Sequence, residues 1–301
     1  MRLTPPSAGV RAHTGTVRGS TRTTVSPATR SLAARSLAAL SLAALLLATG
    51  CGAGGPTPIV GKETLLIGVR PDLPSLSFRK PDGGFEGYDV DVAAYVAKRL
   101  GAQAEFVAVP GADRERDLKD GTADMVLGAF SIDQNRKKTI LFAGPYHLSY
   151  QDILVRKDET RINKVSDLKG LKICQVGTSN APKRVIKERN VPAIPVKADT
   201  YAICVQKLKN NEIDAITTDD LILAGLAKPE GDRLRLLHVQ LSEQRAAIGL
   251  RLGDLDGCEA INRAITQMYQ DGTAAKLLRK WFGSSVLRIE AVSVPQFEGC
   301  S

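Results

Sequence analysis

The chain has 301 residues and a formal net charge of +9 at pH 7, but this charge is unevenly distributed. Residues 1–50 contain six of the 41 Lys and Arg residues and none of the 32 Asp and Glu residues, so the remainder carries a net charge of only +3. A nucleic-acid-binding domain would keep its basic excess in the folded part, and we therefore predict no nucleic-acid partner. The length allows one large domain or two ordinary ones with substantial cores.

The first fifty residues predict an export signal. A basic leader precedes an apolar segment, 36–48, which is too short to span a bilayer comfortably. The segment ends in Leu-Ala-Thr-Gly-Cys, and this resembles the lipobox of bacterial lipoprotein signals, with Ala48 where Leu is usual. The resemblance implies that Cys51 is lipidated and anchors an exported protein on the outer face of the cytoplasmic membrane. The alternative is an ordinary signal peptide with an incidental cysteine.

The first elements after the export signal predict the start of an α/β sheet. We expect a buried strand at 64–69 and then a loop at 70–77, of the kind that borders a ligand cleft in open α/β sheets. Residues 87–100 have apolar side chains at helical spacing and predict an amphipathic helix. Asp89 and Asp91 suit either the first turn of that helix or a metal or acid–base site, and we favour the helix N-terminus.

The stretch 125–146 organises the rest of the chain. It begins as an apolar, strand-like run and then breaks into small polar residues followed by an arginine. Gly128, Ala129 and Ser131 allow a ligand to approach the backbone, and the guanidinium of Arg136 can bind a carboxylate through two parallel hydrogen bonds. The alternative is a strand, a turn and a solvated basic helix face.

The alternation of strands and helices restarts near residue 150. A strand at 171–176 runs into Gly-Thr-Ser-Asn at 177–180, which opens a helix whose first turn leaves N–H groups free for an anion. A strand at 212–217 runs into Asp219 and Asp220, either of which can simply cap the following helix.

These elements predict an α/β fold of two lobes, with a parallel sheet and helices on both faces. We expect residues 62–152 plus 246–301 to form lobe 1 and residues 153–245 to form lobe 2, after a signal peptide at 1–50 and a flexible tether at 51–61. Each lobe would present strand ends and helix N-termini to a cleft between the two.

An even number of cysteines remains after Cys51, as expected for disulfides in an exported chain. These four are Cys174, Cys204, Cys258 and Cys300. Of the three possible pairings we favour 174–204 with 258–300, because each closes a local loop and would stabilise by about 3–4 kcal/mol. The chain has no Cys-x-x-Cys pair and its three histidines are scattered, so we expect no metal and no cofactor.

Residues 87–100 match position for position the signature of the family 3 extracellular solute-binding proteins, the polar amino-acid receptors of ABC importers. The similarity extends over about 62–285. Further similar segments are 124–136, 142–146, 165–170, 177–179, 213–219 and 271–273. Within the family the chain most resembles actinobacterial glutamate/glutamine-binding lipoproteins, through the placement of Cys174 and Cys204 and through residues 218–226. The resemblance implies a type II two-lobed fold that closes on its ligand like a Venus flytrap.

The resemblance also implies roles for individual residues. Arg136 is expected to bind the α-carboxylate of an amino acid, assisted by Ser131 and by Thr178 or Ser179. Asp219 is expected to bind the α-ammonium group.

The resemblance places three further positions near the ligand. The backbone carbonyl near Ala129 is expected to share the ammonium group, and Arg114 to meet a side-chain carboxylate. Leu73 stands where relatives often present an aromatic residue over the ligand, and residues 246–247 are Ala-Ala where relatives often have Tyr-Gly. Because of Arg114 we expect glutamate first, then glutamine, aspartate or asparagine.

A zwitterion would bridge Arg136 in lobe 1 and Asp219 in lobe 2 only when the lobes close, which is what a population shift requires. We expect a monomeric binding protein that serves an ABC permease and its ATPase. One rival is a dehydratase-type enzyme of this fold, which would need a further cleft acid. Asp220 is the nearby candidate, and we expect it to face solvent. Another rival is a ligand sensor for a partner kinase.

Overall fold

The structure, a computed structural model, describes residues 58–177, 179–285, 287 and 294–300. The predicted signal peptide, the lipidation site Cys51 and the expected ligand residue Thr178 lie outside these residues. Among the helices that are described, none combines the length and the apolar character needed to cross a membrane.

Strands and helices alternate through most of the chain. The strands are β1 Thr64–Val69, β2 Asp72–Leu73, β3 Ser77–Arg79, β4 Phe85–Glu86, β5 Gln103–Ala108, β6 Met125–Val126, β7 Ile140–Arg156, β8 Lys172–Val176, β9 Ile194–Ala198, β10 Ile216–Asp219, β11 Leu234–Leu236 and β12 Ser242–Arg251. The α-helices are α1 Tyr88–Arg99, α2 Arg114–Asp120, α3 Ala181–Lys183, α4 Tyr201–Lys209, α5 Asp220–Ala227, α6 Leu255–Gln270 and α7 Thr273–Phe282. Short 3-10 helices occur at Arg136–Lys138, Val165–Leu168 and Lys228–Arg233, and α3 continues as a π-helical turn, Arg184–Glu188.

The main sheet has the strand order β10-β7-β12-β6-β1-β5, with β11 also paired to β7. β1 is parallel to β5 and β6, as predicted, but β12 runs antiparallel to β6 and β7, and β10 runs antiparallel to β7. The sheet is therefore mixed: the predicted parallel pairing holds for β1 with β5 and β6, but not for the pairs that β7, β10 and β12 form. The sequence predicted a strand only at 150–156 within β7, because Gly144 and Pro145 interrupt the strand pattern further upstream.

The molecule has two lobes joined by its two longest strands. Lobe 1 contains β1, β5, β6, α1, α2, α6 and α7, and lobe 2 contains β8 to β10 and α3 to α5. β7 and β12 pair with each other along both lobes, and Ser242 lies opposite Gln151. The predicted lobe boundaries at 152/153 and 245/246 fall inside these strands and stay a prediction.

Three apolar clusters hold these layers together. The largest runs from α1 and β1 to α4 and α5, a second lies on the other side of lobe 2 around Ile153 and Ile173, and a third contains Leu118, Phe130 and Phe142. The rings of Phe130 and Phe142 meet edge to face with centroids 5.1 Å apart. Phe130 is completely buried, so the third cluster forms a rigid base for the polypeptide that follows β6.

Both favoured disulfides are confirmed. Cys174 in β8 bonds to Cys204 in α4, and Cys258 in α6 bonds to Cys300 near the C-terminus, with Cα atoms 5.8 and 5.9 Å apart. These separations are typical of protein disulfides. The first bond joins a strand to a helix within lobe 2, and the second attaches the C-terminal segment to lobe 1.

Candidate functional site

A cavity of about 380 Å³ opens between the two lobes. Its size is at the lower end of the range for small-molecule sites, which suits a ligand of a few heavy atoms. It is lined by the ends of β-strands and by the loops that follow them, from both halves of the chain. We call the lobe 1 side, formed by Arg114, Ala129, Ser131 and Arg136 over the buried Phe130 ring, the first wall. We call the lobe 2 side, formed by Ser179, Arg184, Tyr201, Thr218 and Asp219, the second wall.

Arg136 begins the short 3-10 helix after the β6 segment and reaches into the cavity. Its Nη1 donates to the carbonyl oxygen of Ser131 at 2.9 Å, and its Nε lies 3.6 Å from a carboxylate oxygen of Glu115. Its guanidinium lies 5.1 Å from the centroid of the Phe130 ring. Burial lowers the pKa of Arg136, and the nearby acids only partly oppose this. The side chain is therefore held in place while donors remain available to a ligand.

Arg114, the first residue of α2, is fixed more firmly. Its Nε donates to the carbonyl of Gly111 at 3.0 Å and its Nη1 to the carbonyl of Gly128 at 3.2 Å. Its guanidinium lies 4.1 Å from the centroid of Phe130, so Arg114 and Arg136 share one ring. Burial, followed by repulsion from Arg136 and Arg70, lowers the pKa of Arg114 to about 9. An anion placed between the two guanidiniums would relieve that repulsion.

The backbone at Gly128 and Ala129 forms a tight corner beside these arginines. Both residues have positive φ, 114° and 48°, and a Cβ at Gly128 would lie 2.9 Å from Cγ of Arg70. The buried carboxylate of Asp89 secures the corner, because it accepts the Ala129 N–H at 2.9 Å and the Tyr146 hydroxyl at 2.7 Å. The carbonyl of Ala129 accepts the N–H of Ser131 at 3.2 Å.

The two acids at the start of α1 therefore have separate structural partners. Asp91 accepts hydrogen bonds from Lys280 and Trp281 at 2.6 and 2.7 Å, away from Asp89. Within the described residues no group of three His, Cys, Asp or Glu side chains is arranged to hold a metal ion. Asp89 therefore secures the Gly128–Ala129 corner and does not itself line the cavity.

Asp219 ends β10 and precedes α5, so its carboxylate lies on the second wall. It is only 8% exposed, and no cation of the described residues lies within 4.0 Å of it. Burial raises the pKa of Asp219 to about 6, although Arg184, Arg114 and Arg136 act in the opposite direction. A buried carboxylate without a bonded cation is ready to accept an ammonium group.

A set of hydroxyl groups lies on the second wall with Asp219. The Tyr201 hydroxyl donates to Oγ1 of Thr218 at 2.8 Å and lies 3.3 Å from Oγ of Ser179. Ser179, one of the two alternatives expected from the sequence, lines the cavity, while the other lies outside the described residues. Thr200 caps α4 by accepting the N–H of Ile203 at 3.3 Å and thereby orients Tyr201.

Two further arginines, Arg70 and Arg184, line the cavity and were not expected there from the sequence. Arg70 follows β1 in the loop that was expected to border the cleft, and it binds Asp72 through two hydrogen bonds of 2.9 and 2.7 Å. Its guanidinium also lies 5.9 Å from the ring of Tyr201 on the second wall. Arg184 donates to the side-chain oxygen of Gln244 at 2.8 Å. The signal for Arg70 was its position directly after a buried strand, whereas nothing local distinguished Arg184.

Two residues considered in the sequence analysis do not line the cavity. Leu73 is completely buried in β2, where it packs in the largest apolar cluster. Asp220 was expected to face solvent, and this was wrong: it is half-buried, and one carboxylate oxygen accepts the N–H of Leu221 at 2.7 Å. Burial and the neighbouring Asp219 raise the pKa of Asp220 to about 7.

Comparison with known proteins places the chain among amino-acid receptors. A sequence model of the bacterial extracellular solute-binding proteins, family 3, matches residues 65–284. The glutamate-binding protein GluB of Corynebacterium glutamicum is 35% identical over 242 residues, which are 75% of this chain and 81% of that protein. The L-cystine-binding protein TcyJ of Escherichia coli is 34% identical, with 75% and 85% covered. The ABC transporter glutamine-binding protein GlnH of Bacillus subtilis is 29% identical, with 73% and 81% covered.

Solved structures have the same fold. An ancestral arginine-binding protein bound to arginine superposes with a TM-score of 0.68 at 30% identity, covering 74% of this chain and 99% of the other. The ancestral amino acid-binding protein AncCDT-1, described as a precursor of cyclohexadienyl dehydratase, has a TM-score of 0.66 at 30% identity, with 73% and 95% covered. The relatives compared here thus bind several different amino acids on one scaffold.

Proposed function

This chain belongs to family 3 of the bacterial extracellular solute-binding proteins, and from that premise we propose that it is the receptor of an ABC importer for an acidic or amide amino acid. The single observation that carries the proposal is that Arg136 and the buried carboxylate of Asp219, which has no cation of the described residues within 4.0 Å, line the same cavity. An α-amino acid presents the two opposite charges in one small molecule.

The ligand acts by connecting the two walls. Its α-carboxylate binds between Arg136 and Arg114, where it offsets the repulsion of two guanidiniums on the Phe130 ring. Its ammonium group binds Asp219, and the hydroxyls of Tyr201 and Thr218 keep the surroundings of Asp219 polar. Both contacts exist together only when the lobes are closed, so the ligand stabilises the closed state selectively. Closure also excludes water and strengthens each charged hydrogen bond.

The charge of the cavity favours an acidic ligand. Four arginines line it, and one of them, Arg70, is neutralised by Asp72. Three guanidiniums then face Asp219 and the exposed Asp199. A ligand with two carboxylates and one ammonium group complements this excess, so we place glutamate first, followed by glutamine, aspartate and asparagine. The similarity to the glutamate-binding protein of Corynebacterium glutamicum supports placing glutamate first.

The same proposal places the protein outside the cytoplasmic membrane, held by a lipid on Cys51 and working as a monomer with a permease and its ATPase. Replacing Cys51 with Ser should release the protein from the membrane fraction and abolish incorporation of labelled fatty acid. Retention of both in the variant would contradict the lipid anchor and favour the ordinary signal peptide.

An enzyme of the dehydratase type is the alternative, because one structural neighbour is a precursor of a dehydratase. Such an enzyme needs a cavity acid besides Asp219. Asp72 is bound by Arg70 and Asp220 does not line the cavity, which leaves only the exposed Asp199 among the described cavity residues. A sensor that reports to a partner kinase would bind the same ligand, and uptake of labelled amino acid by cells lacking this protein separates that role from transport.

Calorimetric titration of the purified chain with glutamate, glutamine, aspartate, asparagine, arginine and cystine tests the proposal. We expect micromolar or tighter binding of one acidic or amide amino acid, and loss of that binding in Asp219→Ala. Binding of none of the six, or binding that survives the substitution, would contradict the proposed function.

A further inference from the structure

Arg184 lines the cavity, but the ligand contacts proposed above give it no role. Arg184 opens the π-helical turn after α3, in lobe 2, and its side chain lines the cavity half-exposed. Its guanidinium lies on the second wall with Asp219, and of the neighbouring charges it has the largest effect on that carboxylate. A cation beside the ammonium-binding carboxylate is of no use to the ammonium group itself, since the two positive charges repel each other.

Arg184 is held by a neutral partner. Its Nη1 donates at 2.8 Å to the side-chain oxygen of Gln244, which is only 3% exposed. The orientation of that carboxamide is defined on its other side, where Nε2 donates to Oγ of Ser242 at 3.0 Å and to the carbonyl of Glu243 at 2.9 Å. Gln244 therefore presents an oxygen to Arg184 and orients the guanidinium without placing a negative charge on it.

The other cavity arginines each have contacts within the protein that Arg184 lacks. Arg70 is bound through two hydrogen bonds by Asp72, Arg136 lies 3.6 Å from Glu115, and Arg114 is sealed against Phe130 and two backbone carbonyls. In the described part of the chain no carboxylate lies within 4.0 Å of Arg184. Among the described cavity arginines, Arg184 is thus the one that is half-exposed and has no carboxylate within 4.0 Å.

We propose that Arg184 recognises the side-chain carboxylate of an acidic amino acid, with Gln244 as its positioning residue. This inference rests on the proposed function and refines it. Arg114 then binds the α-carboxylate together with Arg136, because both guanidiniums lie over the Phe130 ring. It then does not bind the ligand side chain, contrary to the expectation from the sequence. The ligand has three charged groups and the cavity meets each of them: two arginines of the first wall for the α-carboxylate, Asp219 for the ammonium group and Arg184 for the second carboxylate.

Glutamate and glutamine form the decisive ligand pair, because they have the same shape and differ in the charge of one group. In Arg184→Gln we expect the affinity for glutamate to fall about 30-fold and the affinity for glutamine to change less than about threefold, since only the charged contact is removed. The expected readout is a fall of the glutamate-to-glutamine affinity ratio by a factor of about ten. Arg184→Lys should restore part of the ratio, because it keeps the charge but loses the fork geometry.

A second variant changes the charge of the guanidinium's partner and leaves Arg184 in place. Gln244→Glu is nearly isosteric and puts a carboxylate on the guanidinium, so it should lower the affinity for glutamate about tenfold and spare glutamine. If Arg184→Gln does not fold, as judged by circular dichroism, this variant supplies the test. The matched control is Lys183→Gln, which removes one positive charge from the neighbouring exposed residue and should leave both affinities unchanged.

The outcomes separate this inference from the proposed function. Equal losses for glutamate and glutamine in Arg184→Gln, or the same selective loss in Lys183→Gln, would overturn the role of Arg184. Wild-type protein that binds glutamine but not glutamate would also overturn it, while the amino-acid receptor would stand. Wild-type protein that binds no amino acid would overturn both.

Discussion

The first and second walls of the cavity hold their charges in different ways. On the first wall the two guanidiniums of Arg114 and Arg136 stack on Phe130 and donate to backbone carbonyls, so folding itself fixes them. On the second wall Asp219 is buried without a bonded cation of the described residues, beside hydroxyls that bond to one another. The charged groups of the first wall thus have partners within their own lobe, whereas Asp219 on the second wall gains a cationic partner only when a ligand binds. This asymmetry makes lobe closure depend on the ligand.

The largest expected effect comes from removing the first wall's accessible cation. Arg136→Ala should weaken binding of the preferred amino acid by about 100-fold or more, because a charged partner in a closed cavity is lost. Calorimetric titration measures the change. Arg116→Ala is the matched control, since Arg116 also pairs with acids in this region but its side chain is 61% exposed, and its affinity should stay within about twofold. Affinity in Arg136→Ala within threefold of wild type would show that the first wall does not hold the carboxylate.

On the second wall, ionised Asp219 should lower the stability of the unliganded protein while it strengthens ligand binding. The pKa of Asp219 in the folded protein, about 6, lies above the value of about 3.9 for an unfolded chain, so protonation favours the folded state. Ionised Asp219 therefore destabilises the unliganded protein at pH 7, and this cost disappears as the pH falls below about 4. Asp219→Asn should raise the free energy of unfolding at pH 7 by about 1–3 kcal/mol while weakening ligand binding. Urea unfolding at pH 7 and pH 4 checks this, and a loss of stability at pH 7 would contradict it.

Binding itself should depend on pH in the opposite direction. The ammonium group needs ionised Asp219, so affinity should fall about tenfold between pH 8 and pH 5 as that carboxyl takes up a proton. A glutamate ligand stays largely ionised over this range. Asp89 and Asp220, with pKa values of about 6 and 7, titrate in the same window, and Asp219→Asn isolates the share of Asp219. The affinity of Asp219→Asn for the ligand should change less than about threefold between pH 8 and pH 5. A slope equal to that of the wild type would assign the effect to the other carboxyls.

The smallest effect tests the ring beneath the first wall. Phe130→Leu keeps an apolar side chain but removes the aromatic face shared by two guanidiniums, and we expect about a fivefold loss of affinity. Phe106→Leu alters another aromatic residue of lobe 1, whose ring packs at a tilt against Phe85 and does not line the cavity, and it should change stability without changing affinity. Equal affinities in the two variants would mean that the backbone carbonyls alone hold the arginines.

Much of the site was predictable because its residues follow buried strands. Ser131 and Arg136 come after β6, and Asp219 ends β10, so sequence order alone placed them at strand ends near a cleft. Leu73 was expected at the ligand and is buried because the short sheet of β2, β3 and β4 turns it into the core. Arg184 carries no local signal, since its partner Gln244 is 60 residues away.

Composition, periodicity and short spacings in the sequence were enough to predict the alternation of strands and helices, the disulfide pairings and the family, and they are the basis of the export signal that we propose. Only the tertiary structure decided that Arg114 and Arg136 share one ring, that Asp219 lies buried without a bonded cation of the described residues and that Arg184 enters the same cavity. Such distances are set by packing between segments far apart in the chain, where periodicity carries no information.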